Sequence, residues 1–141
     1  MKNEDWKRVE HALREPYGHA VLMCDGYKLT LSVFYTKMRL EIGWHVNGRF
    51  RMEWLTEDTD IRRRFARPVM RRVYKRKNYS AAFKKAMKRE GVDLDETRLV
   101  YYWSWQSPVT LVRHLKKTCQ AVALLEINHC PMEETDAQVP V

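Results

Sequence analysis

The sequence predicts an α+β fold: an antiparallel meander of four or more strands with helices packed on one face. Three observations carry that expectation. Between residues 19 and 54 the apolar residues recur with period two, Asp25-Gly26 and Asn47-Gly48 punctuate that region as two-residue hairpin turns, and the flanking segments switch to spacings of three and four. A sheet with one apolar face needs a second layer over it, and the amphipathic segments are the only available cover.

The elements follow in order. Trp6, Val9 and Leu13 fall at helical spacing, and Pro16 and Gly18 end that short helix. From His19, Leu22 and Cys24 alternate with Val21 and Met23, and after the Asp25-Gly26 turn Leu29, Leu31 and Val33 share one face of a second strand. Met38, Leu40, Ile42, Trp44 and Val46 are expected on one side of a third strand, with Lys37, Arg39, Glu41 and His45 on the other. Asn47-Gly48 then leads to a fourth strand carrying Phe50, Met52 and Trp54.

Thr56 to Asp60 gathers capping residues and acids ahead of Ile61 and Phe65, as a helix N-terminus prefers. A new helix is expected from Pro68, with Val69, Met70, Val73 and Tyr74 on one side and Arg71, Arg72 and Lys75 on the other. Tyr79, Ala82, Phe83, Ala86 and Met87 mark a further helix that stops at Gly91 and leaves Lys84, Lys85, Lys88 and Arg89 outside. Leu99 to Trp105 reads as a strand with Tyr101, Trp103 and Trp105 on one face. Ser107-Pro108 opens a helix with Val109, Val112 and Leu115 inward, and Ala121 to Ile127 closes the sheet. Residues 1–127 are thus expected as one domain and 128–141 as a mobile acidic tail.

Charge is the feature that speaks to function. The 141-residue chain carries 26 Lys and Arg against 18 Asp and Glu, yet thirteen of the basic residues and none of the acidic ones lie between Ile61 and Arg89. Eight of the thirteen are arginines, whose planar forks suit phosphate, and the interleaved glutamates of an ordinary solvated helix are missing. A field of that direction attracts polyanions. The expected partner is nucleic acid, DNA or RNA, and the expected contacts are Arg62, Arg63, Arg64, Arg67, Arg71, Arg72, Lys75, Arg76, Lys84, Lys85 and Lys88. The alternative is an acidic host protein, which the same surface would block. Such a docker would keep an apolar anchor exposed among the charges, with Phe65, Tyr74 or Tyr79 as candidates.

The polar sheet face with Lys28, Thr30, Arg39, His45, Arg49 and Arg51 offers a second contact surface. The run Tyr101 to Trp105 admits two readings, a base-stacking platform or core, and three large rings on one strand face favour core. His114, Cys119, His129 and Cys130 lack the spacing of a zinc site, and no metal or cofactor is expected. Glu41, Glu53, Asp58 and Asp60 are of the type that holds magnesium in a nuclease, but no nuclease, phosphate-loop or nucleophile motif accompanies them, so a non-enzymatic role is expected. Three scattered cysteines fit a reducing compartment. The lack of a long apolar run or a signal peptide points to the cytoplasm and away from membranes.

The strings Cys24-Asp25-Gly26-Tyr27-Lys28, Val46-Asn47-Gly48, Glu53-Trp54-Leu55 and Ile61-Arg62-Arg63-Arg64-Phe65 through Arg67-Pro68-Val69 resemble small accessory proteins of tailed phages and prophages of enterobacteria. That resemblance implies a context, a bacterial host cytoplasm with host nucleic-acid machinery or host defences as targets, and no residue roles. The order helix, strands, basic helix, with Lys84-Lys85-Ala86 near the second helix, is also similar to double-stranded-RNA-binding domains. An extra strand and the segment 92–127 depart from that pattern.

Overall fold

The computed structural model describes residues 1–74 and 79–131 and has the α+β architecture expected. The expected contacts Lys75 and Arg76, and most of the expected tail, lie outside the described residues. The chain forms two compact units, one made of Met1–Arg67 with the chain from Trp103 onward, the other of Pro68–Tyr102.

The first unit is built on a five-stranded antiparallel sheet. Its strands are β1 (His19–Cys24), β2 (Tyr27–Thr36), β3 (Arg39–Val46), β6 (Val122–Ile127) and β7 (Cys130–Pro131), in the order β3-β2-β1-β6-β7. Leu22 faces Leu29, Leu29 faces Val46, Leu31 faces Trp44 and Val33 faces Ile42, so the period-two pattern of three strands adds up to one apolar face. Helices α1 (Asn3–Ala12), α3 (Asp60–Phe65) and α5 (Pro108–Thr118) cover it with Trp6, Val9, Leu13, Phe65, Leu111, Val112 and Leu115, all buried. Ser107 caps α5 by accepting from the Thr110 amide, and Pro108 takes the first helical position, where a missing N–H costs nothing. Val109, expected inward, lies on the outer side of that helix.

Four expectations about the strands are corrected. Met38 does not join the apolar face. The β2–β3 register pairs Thr36 with Arg39, so Lys37 and Met38 form the two-residue turn, both at positive φ, and Met38 is 97% exposed. The fourth meander strand does not form either. The Asn47-Gly48 turn closes as expected, with Val46 bridged to Arg49, but the chain then enters the one-turn helix α2 (Glu53–Thr56). Trp105 occupies the free edge of β3 instead, exchanging backbone hydrogen bonds of 2.7 and 2.8 Å with Ile42. Trp54 stacks on Trp44 and Phe50 meets it edge to face, as side chains rather than as a continuation of the sheet.

The third correction concerns Pro68, which lies in a strand, β4 (Arg67–Arg72), and not at a helix start. The residue before a proline is driven out of the helical region, so the chain leaves α3 extended, and Val69 and Val73 suit a strand. A strand with an unpaired side accepts the missing N–H. The second unit pairs β4 with β5 (Thr97–Tyr102) and places α4 (Ala81–Arg89) between them in sequence. Ser80 caps α4 through the Phe83 amide, and Gly91 ends it at φ +78. Among the described residues of this unit Leu94 is the buried apolar side chain.

The expected single face for Tyr101, Trp103 and Trp105 is also divided. The Trp105 ring enters the helix-covered core, where its N–H donates to the Phe65 carbonyl at 2.9 Å. Trp103 lies on the opposite sheet face, stacked on Phe34 and against His45, with its N–H donating to the Trp44 carbonyl at 2.6 Å. Gly43 makes this possible, since a Cβ there would stand 2.5 Å from the Trp103 ring and 3.2 Å from Phe34. Gly43→Ala is therefore expected to destabilise the fold by about 1–3 kcal/mol, the usual range for overpacking, with the loss read as a lower urea midpoint at an unchanged slope. A neutral Gly43→Ala would mean that the indole moves aside at little cost.

Candidate nucleic-acid interface

The expected contacts are shared between the two units, and the two groups differ in how their charges are used. In the first unit the acidic lead-in to α3 does more than favour a helix N-terminus. Thr59 accepts from the Arg62 amide at 3.1 Å and so fixes the first turn. Asp58 then pairs with Arg62 at 3.4 Å and Arg63 at 3.3 Å, and Asp60 pairs with Arg64 at 2.8 Å across one helical turn. Of these arginines Arg63 projects furthest, its side chain 63% exposed against 18% for Arg62 and 23% for Arg64. Arg67 is half-buried and donates to the Ser104 carbonyl at 2.8 Å, beside the point where the chain crosses the sheet edge.

Arg64 is a structural residue. Its guanidinium meets both Asp25 and Asp60, reaches the Thr118 carbonyl at 3.4 Å and lies 5.9 Å from the centre of the Tyr27 ring. Thr118 returns a hydroxyl bond to the Arg64 carbonyl at 3.0 Å, and Tyr27 donates to Asp60 at 3.1 Å. Asp25 sits at positive φ in the β1–β2 turn and accepts from the Gln120 amide at 3.0 Å and the Ala121 amide at 2.6 Å. Those two amides, followed by Arg64, hold its carboxyl below the usual carboxylate range. The Asp60 bond and the Asp25 bond in turn raise the already high pKa of Arg64. Sequence reasoning read Asp25 as a turn former only. The Asp60–Arg64 spacing of four was the available signal, whereas the Asp25–Arg64 pairing spans 39 residues and leaves none.

The second unit presents its cations differently. Pro68–Tyr102 holds ten Lys and Arg against four Asp and Glu. Arg71 and Arg72 are exposed at the end of β4, with the Arg71 guanidinium 5.7 Å from the centre of the Tyr102 ring. On α4, Lys85, Lys88 and Arg89 are exposed and Lys84 is half-buried, and the helix contains no acid. Lys84, Lys85 and Lys88 form one wall of a surface groove of about 710 Å³, and Asp93, Leu94 and Asp95 belong to the facing loop. Among the described residues no carboxylate lies within ion-pair reach of Lys85, Lys88 or Arg89.

Apolar side chains stand beside these charges. Met70 is 61% exposed, and Phe83, on the outer side of α4, packs against Tyr79 with tilted rings 4.9 Å apart while remaining 45% exposed. Of the three expected anchors, Phe65 is buried in the first unit, and Tyr74 and Tyr79 are half-buried. The second proposed contact face, on the sheet, is partly covered, because Trp103 packs there against Phe34, Gly43 and His45. Trp103 and Trp105 are packing residues rather than a stacking platform.

Among the described residues no group of three or more His, Cys, Asp or Glu is placed to hold a metal ion, and no helix is long and apolar enough to cross a membrane. No protein-family model, curated protein or solved structure matches the chain.

The Asp25 junction gives a pH test. A carboxyl acidified by folding adds stability that is present above its ordinary pKa, about 3.9, and is lost as pH falls through its lower folded value. Asp25→Asn is therefore expected to melt at a lower temperature than the parent at pH 7, with the gap narrowing below about pH 4. A gap that stays constant with pH would show that the carboxylate charge is not what the junction uses.

Proposed function

We propose that this protein is a non-catalytic, phage-type accessory protein that binds nucleic acid in the bacterial cytoplasm, chiefly through phosphate, using the cations of the second unit. The observation that carries this reading is α4, where Lys85, Lys88 and Arg89 stand exposed on an acid-free helix while Arg71 and Arg72 are exposed on the same unit. Unpaired surface cations cost little to bring to a phosphate, because no internal ion pair has to be broken first. Arg64 is excluded from the contact set by its own bonds to Asp25 and Asp60, and Arg62 and Arg67 are largely committed within the first unit. With six phosphates neutralised by Arg71, Arg72, Lys84, Lys85, Lys88 and Arg89, log affinity for duplex DNA should fall against log salt with a slope of about −5.

Fluorescence anisotropy with single- and double-stranded DNA and RNA, at several salt concentrations, tests this. Lys85→Glu with Lys88→Glu should weaken binding about tenfold or more and flatten the slope while leaving the melting temperature unchanged, since both side chains are exposed. Binding that is absent, or that the double substitution does not alter, sinks the proposal.

A second reading is favoured by one specific observation. Phe83 and Met70 are exposed among the cations, and a phosphate binder needs neither. An inhibitor that docks on an acidic host protein would use them as anchors. Phe83→Ser distinguishes the two, because it should leave phosphate binding intact under the first reading and abolish partner binding under the second.

A further inference from the structure

Two of the three cysteines share one site in the first unit. Cys24 ends β1 and is fully buried, and Cys119 is the residue that caps the C-terminus of α5, with 6% of its surface exposed. The backbone holds their neighbourhoods together. Cys24 pairs with Val122 in the β1–β6 register, the Asp25 amide donates to the Ala121 carbonyl at 2.8 Å, and the Ala121 amide donates back to the Asp25 carboxylate at 2.6 Å. The two thiols interact directly there. The Thr118 hydroxyl lies 3.7 Å from the Cys119 sulfur, and the Arg64 guanidinium reaches both the Thr118 carbonyl and the Cys119 thiol.

This arrangement separates the roles of the two sulfurs. The Cys24 bond, opposed by burial and helped by Thr118 and Arg64, brings the Cys119 thiol down to about 7. The bond to Cys119 and burial push the Cys24 thiol upward. Cys119 is thus the sulfur held nearer to ionisation, and its residue is the less deeply buried of the two. A thiolate beside a cation, with a second thiol in contact, is the arrangement in which oxidation ends as a disulfide. Cys130 is exposed in β7 and stands outside this site.

We propose that Cys24 and Cys119 form a dithiol modification site that hydrogen peroxide oxidises to an intramolecular disulfide. The Cys119 thiolate attacks one peroxide oxygen, the O–O bond breaks, and the departing hydroxide takes a proton to leave as water, with a sulfenic acid on Cys119. The Cys24 sulfur then attacks the Cys119 sulfur and the S–O bond breaks. The hydroxide released takes the Cys24 proton as a second water. Two thiols lose two electrons in all, and one peroxide gains them. The new bond ties the end of β1 to the end of α5 beside the Asp25–Arg64 junction, and it closes a long loop that restricts the unfolded chain.

The test uses the full chain, reduced, desalted and treated with a small excess of hydrogen peroxide. Intact mass should fall by about 2 Da, two of the three thiols should resist alkylation, and the melting temperature should rise and return with dithiothreitol. Cys130→Ser should behave identically, whereas Cys24→Ser should stop at an adduct about 16 Da heavier that dimedone traps on Cys119. Peptide mapping of the unmutated chain reads the Cys24–Cys119 bond without relying on any variant to fold. No loss of mass, a bond that includes Cys130, a link between chains, or an oxygen adduct persisting on Cys119 with Cys24 intact would each overturn the proposal.

Discussion

The Asp25 carboxylate accepts from two backbone amides of the α5–β6 connection and from the Arg64 guanidinium, and those bonds fix a hairpin turn, a helix and a strand entry against one another. The hairpin could form alone, but nothing in its own sequence would tell it where α3 and α5 belong. Arg64 supplies that information, because its fork engages two carboxylates while Thr118 fastens the Arg64 carbonyl to the end of α5. A junction of this kind is conditional. With every donor and acceptor matched it holds three elements in register, and removing one member leaves the others poorly solvated and unpaired.

The free edge of β3 is handled by a second device. A fourth meander strand would only have moved the edge outward, whereas the returning chain at 103–105 ends it with one backbone bridge and two indoles on opposite faces. The Trp103 and Trp105 N–H groups each find a backbone carbonyl, so these two rings are placed without an unpaired donor. Gly43 is the small residue that lets one of those rings lie flat on the sheet. The aromatic run that resembles a stacking surface in one dimension is therefore used to finish the sheet.

Much of the fold was legible because its signals are local. Asp25-Gly26, Asn47-Gly48, Ser107-Pro108 and Gly91 mark boundaries through their own backbone preferences, and the alternation of Leu29, Leu31 and Val33 needs no knowledge of neighbours. What could not be read was competition. Lys37-Met38 forms a turn with no glycine or asparagine because the register of β2 and β3 demands one there. Phe50, Met52 and Trp54 have strand periodicity, yet the edge they would occupy is taken by Trp105, 56 positions after Arg49 in the chain. Pro68 permits either a helix start or an edge strand, and six residues hold too few turns for periodicity to decide. The candidate site shows the same limit, since the run of basic residues and the acids just ahead of it were visible while the distant partner Asp25 was not.

Charge density along a sequence and charge presented at the surface are different quantities, and this chain separates them by where its aspartates stand. Beside the acidic cap of α3, Arg62 and Arg64 are drawn into the fold, because a planar guanidinium can satisfy several acceptors at once, as Arg64 does with two carboxylates and a carbonyl, and is the less costly cation to desolvate. The α4 cations follow a helix that begins with Ser80 and has no acid to meet, so Lys85, Lys88 and Arg89 remain in solvent. The position of a few aspartates, Asp25, Asp58 and Asp60, thus decides which half of a basic run free of acids is engaged in the fold and which half stays exposed. Sorting of that kind requires only that the capping acids precede the run rather than interrupt it. A helix dipole favours that placement for reasons unrelated to binding, so the exposed cations arise as a by-product of how α3 is started.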